Sequence, residues 1–238
     1  MTEVVRWLES VTSTQDEAHA LAAQGAPHGT AVAARIQSEG RGTRGRRWES
    51  GVGGLWLSVV CRPRGDVALA ATGLRIGLAL ADLIDRFLPS MTRISLKWPN
   101  DLLLSDRKLG GILVQARWQG ETLGWMVAGV GINVRNEVPD SVAHPATRLE
   151  DIGSGFSLEQ LAESVAGAVA DATRNAGPLS VDEIAAFGAR DWLLGREIST
   201  PVVGVASGIT PDGELRVKCP DGSLMGVTGS VALAGEPP

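Results

Sequence analysis

Two spacings of apolar residues alternate along this chain, one strand-like and one helical. Apolar and β-branched runs at residues 4–11, 30–36 and 55–60 predict strands, the last continuous enough to be buried on both faces. Ser13-Thr14-Gln15-Asp16-Glu17 opens a short helix, with Thr14 and Glu17 at capping-box spacing. A helix from residue 67 sets Ala70, Leu74, Leu78 and Ala81 at helical spacing, and Pro89 ends it. Residues 95–104 read as one strand, which turns at Ser105-Asp106-Arg107 and Gly120-Glu121 extend into a meander of three, ending at Val134. A second helix, with Ser157 and Gln160 at its start, puts Leu158, Leu161, Val165 and Val169 on one face. Ser180 and Glu183 cap a third, flanked by Leu179 and Ile184 at staple spacing. Past Trp192 the texture becomes short β segments at 202–206, 215–218 and 226–233, separated by Pro211-Asp212-Gly213 and Pro220-Asp221-Gly222. The pattern predicts an α+β fold: a sheet covered by helices over residues 1–190 and a small β-barrel-like appendage over 191–238.

Composition narrows the function classes. A net charge of -5 argues against a protein that coats nucleic acid with a broad basic face. Two cysteines, Cys61 and Cys219, are too few for a disulfide framework and suggest a reducing compartment, hence the cytoplasm. The longest apolar stretch, residues 67–88, carries Arg75, Asp82, Asp85 and Arg86, which a lipid-spanning helix rarely tolerates together. No membrane association is expected. No helix-turn-helix precedes the first strand, so DNA binding is not expected either.

Four segments carry chemistry. Gly40-Arg41-Gly42-Thr43-Arg44-Gly45-Arg46-Arg47-Trp48 packs four arginines and three glycines into nine residues. It reads either as an anion-binding loop, with guanidinium forks gripping carboxylate or phosphate oxygens, or as a solvated surface turn. Lys97 stands in an otherwise apolar strand and is followed by a rigid Trp98-Pro99 turn in Trp98-Pro99-Asn100-Asp101; it is either a functional cation or a lysine snorkelling from a sheet edge. Lys108-Leu109-Gly110-Gly111 places a basic residue before paired glycines, which mark a close ligand approach or a bulge. Gly129-Val130-Gly131-Ile132-Asn133-Val134 is no dinucleotide fingerprint, since no third glycine follows at the required spacing and no helix opens there.

Together, in this order, these segments resemble the biotin-protein ligase family: a Ser-Thr pair near the start, Gln37 upstream of the arginine-glycine loop, Lys97-Trp98-Pro99-Asn100-Asp101, Lys108-Leu109-Gly110-Gly111-Ile112 and Gly129-Val130-Gly131-Ile132-Asn133. The resemblance runs to the C-terminus and implies a mixed sheet flanked by helices, like that of class II aminoacyl-tRNA synthetases, with a small SH3-like barrel. It also implies the shorter, catalytic-only type of the family. Implied substrates are biotin and ATP, with Mg2+ carried on ATP and protein ligands for the metal unknown. The implied partner is the biotin carboxyl carrier protein of a biotin-dependent carboxylase, and a free sheet edge would permit a homodimer.

The resemblance also distributes roles. Lys97 and Arg41 are the expected catalytic residues, with Lys97 bridging the biotin carboxylate and the α-phosphate. Ser13, Thr14, Gln15, Gln37, Gly40, Arg41, Gly42, Thr43, Lys97, Gly110 and Gly111 are expected around biotin. Arg44, Arg46, Trp48, Asn100, Lys108 and Asn133 are expected around ATP and the adenylate. Ser13 and Thr14 would equally serve as helix caps. No enzyme nucleophile is required, and His19, His28 and His144 share no motif with an acid or a serine. Thr43 stands where the family often has arginine, so Arg44 or Arg46 is expected to substitute in part and the adenylate to be held less tightly. Gln15 replaces a frequent asparagine. Two alternatives stay open: a lipoate or octanoate ligase or transferase, and a non-enzymatic nucleic-acid binding module.

Overall fold

The computed structural model describes residues 5–138, 145–153 and 157–235; Val4, in the first predicted strand, and His144 lie outside them. Seven strands form the main sheet: β1 (Arg6–Val11), β2 (Ala31–Gln37), β3 (Leu55–Cys61), β4 (Ile94–Lys97), β5 (Asp101–Leu104), β6 (Arg107–Gln119) and β7 (Thr122–Ile132). Their spatial order is β1-β2-β3-β7-β6-β5-β4. β1 and β2 run parallel, joined through helix α1 (Thr14–Ala23), and the other neighbours are antiparallel. The sheet is therefore mixed.

β3 is buried along its whole length because both its faces are covered. Leu55, Leu57, Val59 and Cys61 point into the main core with α2 (Leu69–Asp85) and α3 (Leu158–Ala172), whereas Val60 packs with Ala18 and Ala22 of α1 on the other side. Burial pushes the Cys61 thiol up to about 11, so it is a core side chain and not a nucleophile. On α3 the residues Leu158, Leu161, Val165 and Val169 are buried together, and α4 (Val181–Gly188) carries the complete Ser180–Glu183 capping box.

Three local expectations need correction. The strand read over 95–104 is two strands, β4 and β5, folded against each other with Lys97 opposite Asp101. Pro99 offers no N–H to a ladder, and the chain reverses there. The first helix is capped by Ser13, whose Oγ accepts from the Gln15 N–H at 3.3 Å, and not by Thr14, whose hydroxyl is engaged with Gln37 and Ser58. The helix read from residue 67 starts at Leu69 and stops at Asp85, ahead of Pro89.

The C-terminal segment forms a five-stranded sheet from β8 (Glu197–Thr200), β9 (Gly204–Ile209), β10 (Leu215–Lys218), β11 (Leu224–Val227) and β12 (Ala232–Leu233). Its order, β11-β10-β9-β8-β12, leaves β11 and β12 as edges, so the pairing is open where a closed barrel was expected. β8, absent from the sequence reading, lies inside it. This sheet docks tightly on the main body. Gly213 has φ of +87°, and a Cβ there would sit 2.4 Å from the Ala71 backbone nitrogen. Beside it, the Trp98 indole donates to the Gly213 carbonyl at 2.9 Å.

Candidate active site

The site is written in the strand register. Lys97, Asp101, Gly111, Gly131 and Trp56 lie opposite one another across β4, β5, β6, β7 and β3, and so share one face of the sheet. Two residues along, Ser58, Gly129 and Leu113 form a parallel row. Three glycines in these rows leave a trough below the N-terminus of α1. The resulting cavity is about 550 Å³, the size of a small-ligand site.

The arginine-glycine loop covers this trough as a small hairpin. Isolated bridges join Gln37 to Ser50 and Arg41 to Arg47, and the tip turns through Arg44 and Gly45, both at positive φ. Gly40 has no room for a side chain, since a Cβ there would lie 2.3 Å from the Trp48 carbonyl oxygen. Trp48 folds back onto the floor: a Cβ on Gly131 would be 2.7 Å from its Nε1, and one on Gly111 would be 3.2 Å from its Cζ3. That indole N–H is buried without a hydrogen-bond partner. Lys108 Nζ lies 5.1 Å from the ring centroid, within cation–π range.

A buried polar network ties the loop to α1. Gln37 Oε1 accepts from the Thr14 backbone N–H at 2.8 Å and lies 3.0 Å from its hydroxyl, while Gln37 Nε2 donates to Ser50 Oγ at 2.8 Å. Ser50 in turn donates to the Trp48 carbonyl at 2.9 Å. On the other side Thr14 Oγ1 lies 2.9 Å from Ser58 Oγ, and Ser58 donates to Gln15 Oε1 at 3.0 Å. The Gln15 amide then donates to the Val127 carbonyl at 3.1 Å. The set presents hydroxyls and amides of fixed direction at the trough.

The walls are cationic. Arg41, Arg44, Arg46, Arg47, Lys97 and Lys108 line the cavity against two carboxylates, Asp101 and Glu49. Arg41 pairs with Asp16 at 2.6 Å, Arg47 with Glu49 at 3.4 Å and Lys108 with Asp101 at 2.7 Å. Lys97 Nζ stands 4.9 Å from the Trp192 ring centroid. The C-terminal segment closes the mouth through Gly229, Ser230, Val231 and Ala232, with the Arg44 guanidinium against Gly229.

Of the residues singled out in the sequence, Ser13, Thr14, Gln15, Gln37, Arg41, Gly42, Thr43, Arg44, Arg46, Trp48, Lys97, Asn100, Lys108, Gly111 and Asn133 line this one cavity. Gly40 and Gly110 do not: Gly40 packs under the loop, and Gly110, paired with Ile132, faces the core side of the sheet. Asn100 donates to the Ile112 carbonyl at 3.0 Å, so its amide pins the β4–β5 turn to β6. Sequence reasoning missed Ser58, Asp101, Trp56 and the segment Gly229 to Ala232. Ser58 had a visible signal, a hydroxyl inside a continuously apolar strand.

Comparisons with known proteins bear on the family and the fold. The profile of the biotin/lipoate A/B protein ligase family matches residues 7–133. The Bacillus subtilis protein named bifunctional ligase/repressor BirA is 38% identical over 146 residues, covering 58% of this chain and 44% of the relative. The Mycobacterium tuberculosis protein named biotin--[acetyl-CoA-carboxylase] ligase is 34% identical over 224 residues, covering 85% of this chain and 79% of the relative. The chain spans about half the length of the first curated relatives it matches, 47% in one case. Among solved structures, the Aquifex aeolicus biotin protein ligase in complex with biotin and ATP superposes with a TM-score of 0.77 at 25% identity, over 98% of this chain and 96% of that one. On the matched profile and the extended similarity, the chain belongs to the biotin/lipoate A/B protein ligase family.

Proposed function

We propose that this protein is an ATP-dependent biotin-protein ligase, which activates biotin as biotinyl-5'-AMP and transfers the biotinyl group to a lysine of a biotin carboxyl carrier protein. One observation carries the reading: a buried hydroxyl–amide network and a cluster of six cations line the same glycine-floored cavity. Biotin's bicycle is apolar, but its urea offers two donors and a strong acceptor, which Ser13, Thr14 and Gln37 suit. Driving its carboxylate onto the α-phosphate of ATP brings two anions together, at about 4 kcal/mol per contacting unit-charge pair in a protein-like dielectric. Lys97 offsets this by bridging the two groups, and Arg41, Arg44, Arg46 and Lys108 neutralise the remaining phosphate charge. The carboxylate oxygen bonds to phosphorus and pyrophosphate leaves; an amine then attacks the carbonyl carbon and AMP leaves.

Trp48 and Asn133 serve the adenine, the one as a flat face and the other as a base-edge contact. Mg2+ would arrive on the phosphates of ATP, and we assign it no protein ligands. Among the described residues no helix is long and apolar enough to cross a membrane. From the two-cysteine sequence we propose the cytoplasm as the compartment. We read the five-stranded C-terminal sheet, from residue 191 on, as the family's SH3-like appendage.

The test is mass spectrometry of a biotin carboxyl carrier domain after incubation with the protein, ATP and either biotin or lipoate. A biotinyl adduct that needs ATP is expected. A lipoyl adduct alone would move the chain to the lipoate branch of the family, and no adduct would overturn the ligase reading.

A further inference from the structure

Resting on that reading, we infer that Asp101 receives the acceptor amine in the second half-reaction and takes its proton. The site that suits two anions is hostile to the last substrate. A carrier lysine arrives as an ammonium, with an ordinary pKa of about 10.4, at a cavity lined by four arginines and two lysines. Two lining side chains can attract it, Asp101 and Glu49. Glu49 sits out on the loop, 57% exposed and paired with Arg47. Asp101 is 17% exposed and stands in the floor row between Lys97 and Gly111. Directly opposite residues of an antiparallel pair have Cβ atoms about 5 Å apart, so this carboxylate is adjacent to the lysine that holds the new anhydride.

Its present partner is exchangeable. Asp101 Oδ1 binds Lys108 Nζ at 2.7 Å, and Lys108 carries its ammonium on a flexible stem beside Trp48. With nucleotide phosphate in the site, Lys108 turns to it and releases the Asp101 oxygen. The incoming ammonium, held by the Asp101 carboxylate, gives it one proton as the nitrogen closes on the anhydride. The freed lone pair attacks the carbonyl carbon of the mixed anhydride. A C–N bond forms, the C–O bond to phosphate breaks and AMP departs with that electron pair. The second nitrogen proton goes to water or to the departing phosphate, leaving the amide.

The test compares Asp101→Asn and Asp101→Glu with the wild type in three assays: biotin-dependent pyrophosphate exchange, transfer of preformed biotinyl-adenylate to a carrier domain, and its capture by hydroxylamine, an amine already neutral at pH 7. In Asp101→Asn, transfer to the carrier falls about a hundredfold, the usual size of a lost proton acceptor and at least about tenfold more than either other assay. Asp101→Glu recovers part of it. Equal losses in all three assays, or unchanged transfer, would overturn the assignment, the former leaving Asp101 as an anchor for Lys108. Should Asp101→Asn not fold, Asp101→Ser carries the same comparison. Absence of exchange in the wild type would overturn the ligase reading itself, and this inference with it.

Discussion

Gly111 lies directly across the β6–β7 ladder from Gly131, and the indole of Trp48 rests on the pair. Two facing residues without Cβ atoms make a flat strip on a pleated surface, and a flat strip takes an aromatic plane. Gly131→Ala would put a methyl 2.7 Å from Trp48 Nε1, so the ring must lift. Nucleotide affinity should fall about tenfold, roughly 1.4 kcal/mol, in isothermal titration, with biotin affinity less affected. Unchanged ATP binding would separate this floor from the nucleotide.

Lys97→Ala should lose about a hundredfold or more of biotin-dependent pyrophosphate exchange, the scale of a removed transition-state donor. The fold should survive, because the lysine is only half-buried and its contact with Trp192 is worth about 1 kcal/mol. Normal exchange in a folded variant would contradict its assigned place.

Ser58 is buried at 1% exposure and joins Thr14 to Gln15. In Ser58→Ala the side-chain Oε1 of Gln15 loses its donor, at about 1–3 kcal/mol for a buried unsatisfied group. Urea unfolding should register that loss, and titration should show biotin binding weakened before ATP binding. A variant as stable as wild type would mean the network relaxes without cost.

Thr43 accepts the Arg46 side chain, Nη2 at 3.3 Å from its hydroxyl and Nε at 3.4 Å from its carbonyl. We hypothesise that this folded-back arginine only partly replaces a direct one at 43. Thr43→Arg should then slow adenylate release and reduce the labelling of bystander proteins. Equal labelling by both proteins would end the idea.

Asp191 is pushed up to about 6 by burial, and its Oδ2 has no hydrogen-bond partner, although Oδ1 accepts from the Leu193 N–H at 2.9 Å. A raised carboxyl pKa means stability that is full below the unfolded value, near 3.9, and lost as pH rises through about 6. Asp191→Asn removes the charge and keeps the acceptor. The variant should unfold at higher urea than wild type at pH 7.5, with the gap closing towards pH 4. A gap that widens on acidification would reverse the sign of this argument.

Local chemistry was legible in the chain itself. Serines at 157 and 180 announced the starts of α3 and α4 because a cap acts within one turn, and the doubly apolar run of β3 announced a strand with both faces covered. The arginine-glycine loop and Lys97 stood out because guanidinium and ammonium groups have few reasons to sit among glycines and leucines. The Trp98-Pro99 turn was also visible inside the run read as one strand, but not that β4 and β5 fold back on each other there. The places in the site of Asp101, of the mouth at Gly229 and of Ser58, whose hydroxyl did stand out in β3, were not legible, for one shared reason. Their role comes from what lies opposite them, and cross-strand register is set by packing of the whole sheet, whether the partners are near in sequence, as Lys97 and Gly111 are to Asp101, or far, as Gly129 is to Ser58. The sequence by itself therefore determined which groups are available for anion and acyl chemistry, and only the tertiary structure decided that Lys97, Asp101, Gly111 and Gly131 stand in one row.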